Sequence, residues 1–186
     1  MKRLFDLILI LIAIPLLFFP IILVAILVKA TSKGQVLYWS DRIGKDGIIF
    51  KMPKFRSMKT GTPAVATHLL QNPESTLTSI GHFIRKSSLD ELPQLWSIFK
   101  GEMSFVGPRP ALFNQNDLIS MRTQKGVEKL LPGLTGWAQI NGRDELTIAE
   151  KVELDIEYLK RRSFLFDLKI LWITLLKVVK TDKISH

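Results

Sequence analysis

The longest apolar run in the chain, Leu7 to Val28, contains 22 positions and no charged residue. As a straight helix it would measure ~33 Å, enough to cross a hydrocarbon core. Pro15 and Pro20 fall in its middle. A helix-interior proline removes a hydrogen bond and clashes with the preceding turn, so the run is expected to kink or break. Lys2 and Arg3 flank one end, and Lys29 and Lys33 the other. The positive-inside rule therefore gives no direction for a crossing, and it is met when both ends face the cytoplasm. Two arrangements stay open on these residues: a kinked single span, and a re-entrant hairpin that enters and leaves on one side. A cleaved signal peptide is disfavoured, because the run is long and no small-x-small site follows it.

Beyond the run, Ala30 to Gly34 reads as a linker. Val36 to Trp39 and Ile48 to Phe50 predict short strands around the turn-rich segment Asp41 to Gly47. Lys51 to Met58 alternates basic and apolar residues, and Thr60 to Pro73 has the composition of a loop. Ser79 to Lys86 predicts a helix with Ile80, Phe83 and Ile84 on one face. Leu92, Leu95, Trp96 and Phe99 recur at i, i+3, i+4 and i+7, the spacing of a helix that buries one side and ends near Lys100-Gly101. Pro93 suits the first turn of that helix, where its missing N–H costs nothing. Thr147 to Lys160 predicts another helix. Phe164, Leu168, Leu171, Leu175 and Val178 keep helical spacing towards the C-terminus, accompanied by Lys169, Lys177 and Lys180. That last face either packs into a core or lies in a membrane surface. The whole pattern predicts an α+β, mainly helical protein, with a membrane anchor and linker over 1–33 and a second domain over 34–186.

Composition narrows the partners. The chain has 186 residues and a net charge of +9, which favours anionic partners. It has no cysteine, so disulfides, iron–sulfur clusters and thiolate zinc sites are excluded. His68, His82 and His186 lack ligand spacing, which argues against a histidine metal site. The cations are dispersed among Pro/Gly loops without a nucleic-acid fold signature. P-loop and dinucleotide fingerprints are absent as well.

The candidate chemistry centres on Asp90-Glu91, just ahead of Pro93. One account makes these acids a helix cap and a first-turn acid, favoured by the helix dipole. The other makes one of them a nucleophile or metal ligand. Adjacent helical positions diverge by ~100°, so the two acids should have separate roles. Around them Lys54, Arg56, Arg85, Arg109 and Arg143 form either a surface attracted to anionic lipid or a diphosphate clamp. Arg109 is the best clamp candidate, because a forked guanidinium binds phosphate oxygens at two points. Its flanking prolines lower the ordering entropy of the loop that presents it.

Four segments carry a resemblance to a known family: Lys54-Phe55-Arg56-Ser57-Met58, Ser88 to Leu95, Gly101 to Pro110, and Pro132 to Arg143. In their order and spacing the chain resembles the bacterial sugar transferases of the small monotopic phosphoglycosyl transferase family. The resemblance implies transfer of a sugar-1-phosphate from a UDP-sugar to polyprenyl (undecaprenyl) phosphate, with release of UMP. It implies Asp90 as nucleophile, through a covalent phosphosugar intermediate, and Glu91 as its orienting or proton-handling partner. Mg2+ would bind at Asp90, and Arg85, Arg109, Arg143, Lys54 and Arg56 would serve phosphate or nucleotide. It further implies a re-entrant helix-break-helix at the bacterial inner membrane, with the catalytic domain and its interfacial amphipathic helices on the cytoplasmic face. Pro20 matches the family's Ser-Pro break, but Phe19 stands in place of the serine. The resemblance leaves the sugar and the oligomeric state open; UDP-linked N-acetylated deoxyhexoses are preferred over glucose or galactose. The competing class is a non-enzymatic, membrane-tethered anion binder or scaffold, in which Asp90 would be dispensable and salt would weaken all binding.

Overall fold

A computed structural model describes residues 2–65, 72–142 and 145–181. The predicted loop over Thr60 to Pro73 lies in part, and Arg143 wholly, outside them.

The apolar run forms α1 (Lys2–Thr31), which continues through both Pro15 and Pro20. The expected helix-break-helix is thus a single helical element here. The prolines still leave the carbonyls of Leu11 and Leu16 without their i+4 donors. One stripe of α1 packs on the rest of the protein: Asp6, Ile10, Ala13, Leu17, Ile21, Val24 and Val28. These positions alternate in steps of three and four, so they share a face. The opposite face is open, with Leu11, Leu16 and Phe19 each 72% exposed. The helix is apolar and long enough to cross a membrane, yet the domain follows its inner stripe from end to end.

Polar contacts fix the start of α1. Asp6 is buried, and its Oδ1 accepts from Ser104 Oγ at 3.0 Å and from the Phe105 N–H at 3.1 Å. Arg3 donates to the carbonyls of Ile98 and Phe99, both at 2.5 Å. It thereby satisfies carbonyls that a helix end leaves without partners. At the other end Arg56 donates to the carbonyl of Lys33.

Strands β1 (Leu37–Ile43) and β2 (Ile49–Phe55) form an antiparallel hairpin, longer than the sequence pattern predicts. Its register sets Arg42 opposite Phe50 and Tyr38 opposite Lys54. With a side-chain period of two, Arg42 and Lys54 share one face. Helix α2 spans Gly81–Lys86, and α3 spans Leu95–Lys100 after a 3₁₀ turn over Leu89–Gln94. The stripe Leu92, Leu95, Trp96 and Phe99 is not the buried one. Gln94, Leu95, Ser97 and Ile98 are buried, while Trp96 and Phe99 point outwards and stack on each other. On α2, Ile84 is buried but Phe83 is exposed.

Two short strands, β3 (Ser104–Val106) and β4 (Gly133–Thr135), pair in parallel. They bring the two glycine–proline loops into backbone contact: Gly107 N donates to Thr135 O, and Gly133 N to Pro108 O, both at 2.9 Å. A side chain at Gly133 would put its Cβ 2.1 Å from the Gly107 nitrogen. Helix α4 (Asn116–Gln124) follows β3 in the chain and the short α5 (Trp137–Ile140) follows β4. The predicted helix after Thr147 is α6 (Ile148–Arg161), opened by a Thr147–Glu150 capping box. Helix α7 spans Phe164–Thr181. Its core residues are Phe166 and Ile170; the predicted apolar stripe faces out at Phe164, Leu168, Leu175 and Val178.

Because only hydrogen fits at the Gly107–Gly133 crossing, Gly133→Ala should destabilise the protein by about 3 kcal/mol through overpacking. Thermal unfolding in detergent should show it as a Tm drop of roughly 6–12 °C. An unchanged Tm would mean that the two loops can separate.

Candidate active site

A cavity of about 430 Å³ is lined by Lys54, Arg85, Asp90, Glu91 and Arg109, together with Arg42 and Arg122. Five separate segments deliver these groups, α4 supplying Arg122. The hairpin supplies Lys54 and Arg42, and the end of α2 supplies Arg85. The 3₁₀ turn supplies Asp90 and Glu91, and the Gly107–Pro110 loop supplies Arg109. The acids do not sit in the first turn of an α-helix, as the sequence pattern suggests. The turn that bears them follows Ser88, whose φ of 57° lies in the left-handed region. A non-glycine residue there holds a sparsely populated backbone, often at functional positions.

The two carboxylates are treated differently. Glu91 Oε1 accepts from Lys54 Nζ at 2.9 Å and from Arg109 Nη2 at 2.8 Å. Burial pushes the Glu91 proton affinity up, but the charges and hydrogen bonds of Arg109 and Lys54 outweigh it and hold the carboxyl well below its usual range. Asp90 is only 7% exposed, and among the described residues none donates a hydrogen bond to its carboxylate. Burial raises its pKa; Lys54 opposes this and the charge of Glu91 adds to it. Successive residues of a 3₁₀ turn diverge by about 120°. Glu91 therefore faces the cations while Asp90 keeps its oxygens for the cavity. A carboxylate of raised basicity without a hydrogen-bond partner suits nucleophilic attack.

Two arginines that the sequence analysis did not select belong to this site. Arg42 donates to Ser40 Oγ and to the Pro110 carbonyl. Burial, with Arg109 beside it, lowers its pKa to about 10. Arg122 pairs with the buried Asp155 on α6 at 2.7 Å and donates to the Arg109 carbonyl at 2.7 Å. Together they pin both sides of the loop that aims Arg109. Arg42 lies in a segment whose Asp and Gly residues read as a turn, and Arg122 in a polar helix. Only the polar spacing of Lys54, Ser40 and Arg42 on paired strands could have marked the first. The phosphate role expected of Arg56 finds no place in the cavity, since Arg56 is engaged at the end of α1.

For Mg2+ the donors fit as part of a shell. No group of three His, Asp or Glu side chains able to hold an ion occurs among the described residues. Mg2+ commonly takes one or two carboxylates together with substrate phosphates and water. The uncommitted Asp90 oxygens match that pattern.

A family model described as bacterial sugar transferase matches residues 1–181. A UDP-glucose:undecaprenyl-phosphate glucose-1-phosphate transferase of Escherichia coli (strain K12) is 42% identical over 162 residues, covering 83% of this chain and 35% of that protein. A UDP-galactose-lipid carrier transferase of Erwinia amylovora is 36% identical over 200 residues, 98% of this chain and 41% of that protein. The sugar transferase EpsL of Bacillus subtilis (strain 168), itself uncharacterized, is 39% identical over 188 residues, 100% of this chain and 91% of that protein. The chain thus spans well under half the length of the first two relatives and matches the third nearly end to end.

Removing the Glu91 charge leaves Lys54 and Arg109 buried around a neutral group. Glu91→Gln should therefore cost about 3 kcal/mol or more. The sign with pH follows from the depressed folded-state pKa. The stability that Glu91 contributes is complete above the ordinary glutamate range and is lost as pH falls towards the depressed value. Denaturant midpoints measured against pH should show an acid-side loss in the wild type that is smaller in Glu91→Gln; parallel curves would remove Glu91 from the account.

Proposed function

The chain belongs to the bacterial sugar transferase family, and on that premise we propose that it transfers a sugar-1-phosphate from a UDP-sugar to undecaprenyl phosphate, releasing UMP. The observation that carries this reading is the contrast inside one cationic cavity: Glu91 is locked by Lys54 and Arg109, and Asp90 is buried with a carboxylate that accepts no hydrogen bond among the described residues.

The reaction then has two displacements. An Asp90 oxygen attacks the sugar-linked phosphorus of the donor; the P–O bond to UMP breaks, and UMP leaves with that bonding pair. A phosphate oxygen of undecaprenyl phosphate next attacks the same phosphorus. The aspartyl P–O bond breaks, the carboxylate is restored, and the sugar is left on a lipid diphosphate. Arg109 and Arg85 bind the diphosphate oxygens and favour the in-line geometry. Arg42, Arg122 and Lys54 hold those groups in position. Glu91 stays ionised throughout and fixes the register of the 3₁₀ turn. Asp90, together with the donor's diphosphate, would hold Mg2+, which would supply charge neutralisation on the phosphoryl oxygens.

The same reading keeps both ends of α1 and the catalytic domain on the cytoplasmic side of the inner membrane; the re-entrant bend that the family resemblance implies would have to form at Pro15 or Pro20, through which α1 runs here as one helical element. The inner stripe supports the one-sided placement. A helix whose face from Asp6 to Val28 packs on the domain cannot cross a bilayer alone without losing that packing and taking the Asp6 carboxylate into hydrocarbon. The relatives named for glucose and galactose add those two donors to the N-acetylated deoxyhexoses as candidates.

Purified protein given undecaprenyl phosphate, Mg2+ and a panel of UDP-sugars should release UMP with one donor class, and Asp90→Asn should lose roughly 10³-fold or more. Equal release by both proteins would overturn the nucleophile, and no release with any donor would favour the scaffold alternative. The raised pKa of Asp90 sets a second expectation. Attack needs the anion, so kcat/KM should fall on the acid side through a single proton, with its midpoint above the ordinary aspartate value of about 3.9. A midpoint at or below that value would detach the profile from Asp90.

A further inference from the structure

A second cavity, of about 600 Å³, opens beside the first turn of α1 and shares no lining residue with the Asp90 cavity. Its walls divide by chemistry. Phe5 and Phe164 meet edge to face with ring centroids 5.0 Å apart, and Leu130 continues the apolar surface. Lys45, Lys129 and Arg162 supply exposed positive charge at its edge. Asp167 is the acid in its lining, and that charge is already engaged. It accepts from Lys2 Nζ at 2.5 Å and from the buried Tyr158 hydroxyl at 2.7 Å. The nearest acid to Lys45 is Asp46, at 3.8 Å and exposed. Among the described residues, the cavity mouth therefore carries a positive excess that no ion pair neutralises beyond the exposed Lys45–Asp46 contact.

Its level on the molecule matters as much as its charge. The outward apolar face of α1 begins at Leu4, 64% exposed and two residues from Lys2. The outward apolar face of α7 begins at Phe164 and Leu165 and continues through Leu168 and Trp172. The cavity lies where both faces start, with its cations on the polar side of that boundary. An amphiphile with an anionic head and long chains matches both halves: a phosphate between Lys129 and Arg162, and chains leaving past Phe5 and Phe164 along α1 and α7. A soluble anion would leave the apolar walls without a partner, and a zwitterionic lipid would leave the charge excess uncompensated.

We propose that this cavity binds the headgroup of an anionic glycerophospholipid, at a site separate from the one that holds Asp90. The proposal rests on the reading of α1 as membrane-embedded and does not depend on the transfer reaction. Such a lipid would clamp the start of α1 to the start of α7 and fix the depth at which the protein sits.

Native mass spectrometry of the full chain in non-ionic detergent tests it. Graded phosphatidylglycerol, phosphatidylcholine or undecaprenyl phosphate is added to wild type, to Lys129→Glu/Arg162→Glu, and to the charge-matched control Lys125→Glu/Lys160→Glu. The wild type should retain one phosphatidylglycerol saturably and should not retain phosphatidylcholine. The site variant should bind at least ~10-fold more weakly, and the control as the wild type does. Equal retention by the site variant, equal loss in the control, or retention of phosphatidylcholine alongside phosphatidylglycerol would each overturn the proposal. So would retention of undecaprenyl phosphate alone at this site. If the double charge reversal fails to fold, Lys129→Gln/Arg162→Gln carries the same comparison. UMP release is measured in parallel without added phospholipid. Loss of that activity with intact lipid retention would count against the transfer reading alone.

Discussion

Glu91 holds three independently built segments at one point. Its carboxylate comes from the 3₁₀ turn, Lys54 from β2 and Arg109 from the Gly107–Pro110 loop, and both cations bind a single oxygen. Burying three charges is costly, and the interior tolerates them only while all are present and bonded. Two cations against one Glu91 charge leave the cluster net positive, which suits a cavity meant to receive an anion. The arrangement also decides what Asp90 can do. With its neighbour committed to the cations, the turn cannot rotate, and Asp90 remains aimed at the cavity with its oxygens uncommitted. The cavity is thus organised by Glu91 and its two cations.

A second layer of support reaches outwards from Arg109. Its carbonyl is held by Arg122, which is tied to Asp155 on α6, and the following carbonyl is held by Arg42 on β1. Behind the loop, Gly107 and Gly133 approach so closely that β3 and β4 can pair although each has three residues. Short parallel strands have little stability of their own. Here the closeness of two glycine-rich loops makes the pairing possible. Positioning of the arginine therefore draws on α4, α6, the hairpin and the parallel pair together.

Much of this was legible in the sequence. The Thr147–Glu150 capping box marked the start of α6, the charge-free run marked α1, and the Asp90-Glu91 pair with its cations marked the site. What failed shares one physical cause. Reading apolar periodicity as burial assumes that water is the only solvent. Trp96 and Phe99 obey helical spacing yet lie on the outside, so that face of α3 was assigned to the wrong side; on α7 the spacing left core and membrane surface both open, and Phe164 and Leu175 lie outside. Three-residue strands such as β3 and β4 are too short for a period-two signal. Arg42 and Arg122 were missed because their importance lies in which carbonyls they reach across the fold, and no local pattern encodes that.

The inner stripe of α1 gives the anchor a further meaning. Ile10 shares a core with Met52, Ile98 and Met103, and Val24 and Val28 share one with Phe55 and Ile84. Residue 33 separates the anchor from the chemistry, but the cores cross that boundary. Phe55 and Met52 lie on the strand that carries Lys54, and Ile84 precedes Arg85. A displacement of α1 is therefore transmitted through packed side chains to two of the cations around Asp90. On the proposed function, which pairs a soluble nucleotide sugar with a lipid phosphate, this coupling would link the anchor to the site. The apolar helix proposed as the membrane anchor also supports the strand and the helix that build the charged cavity.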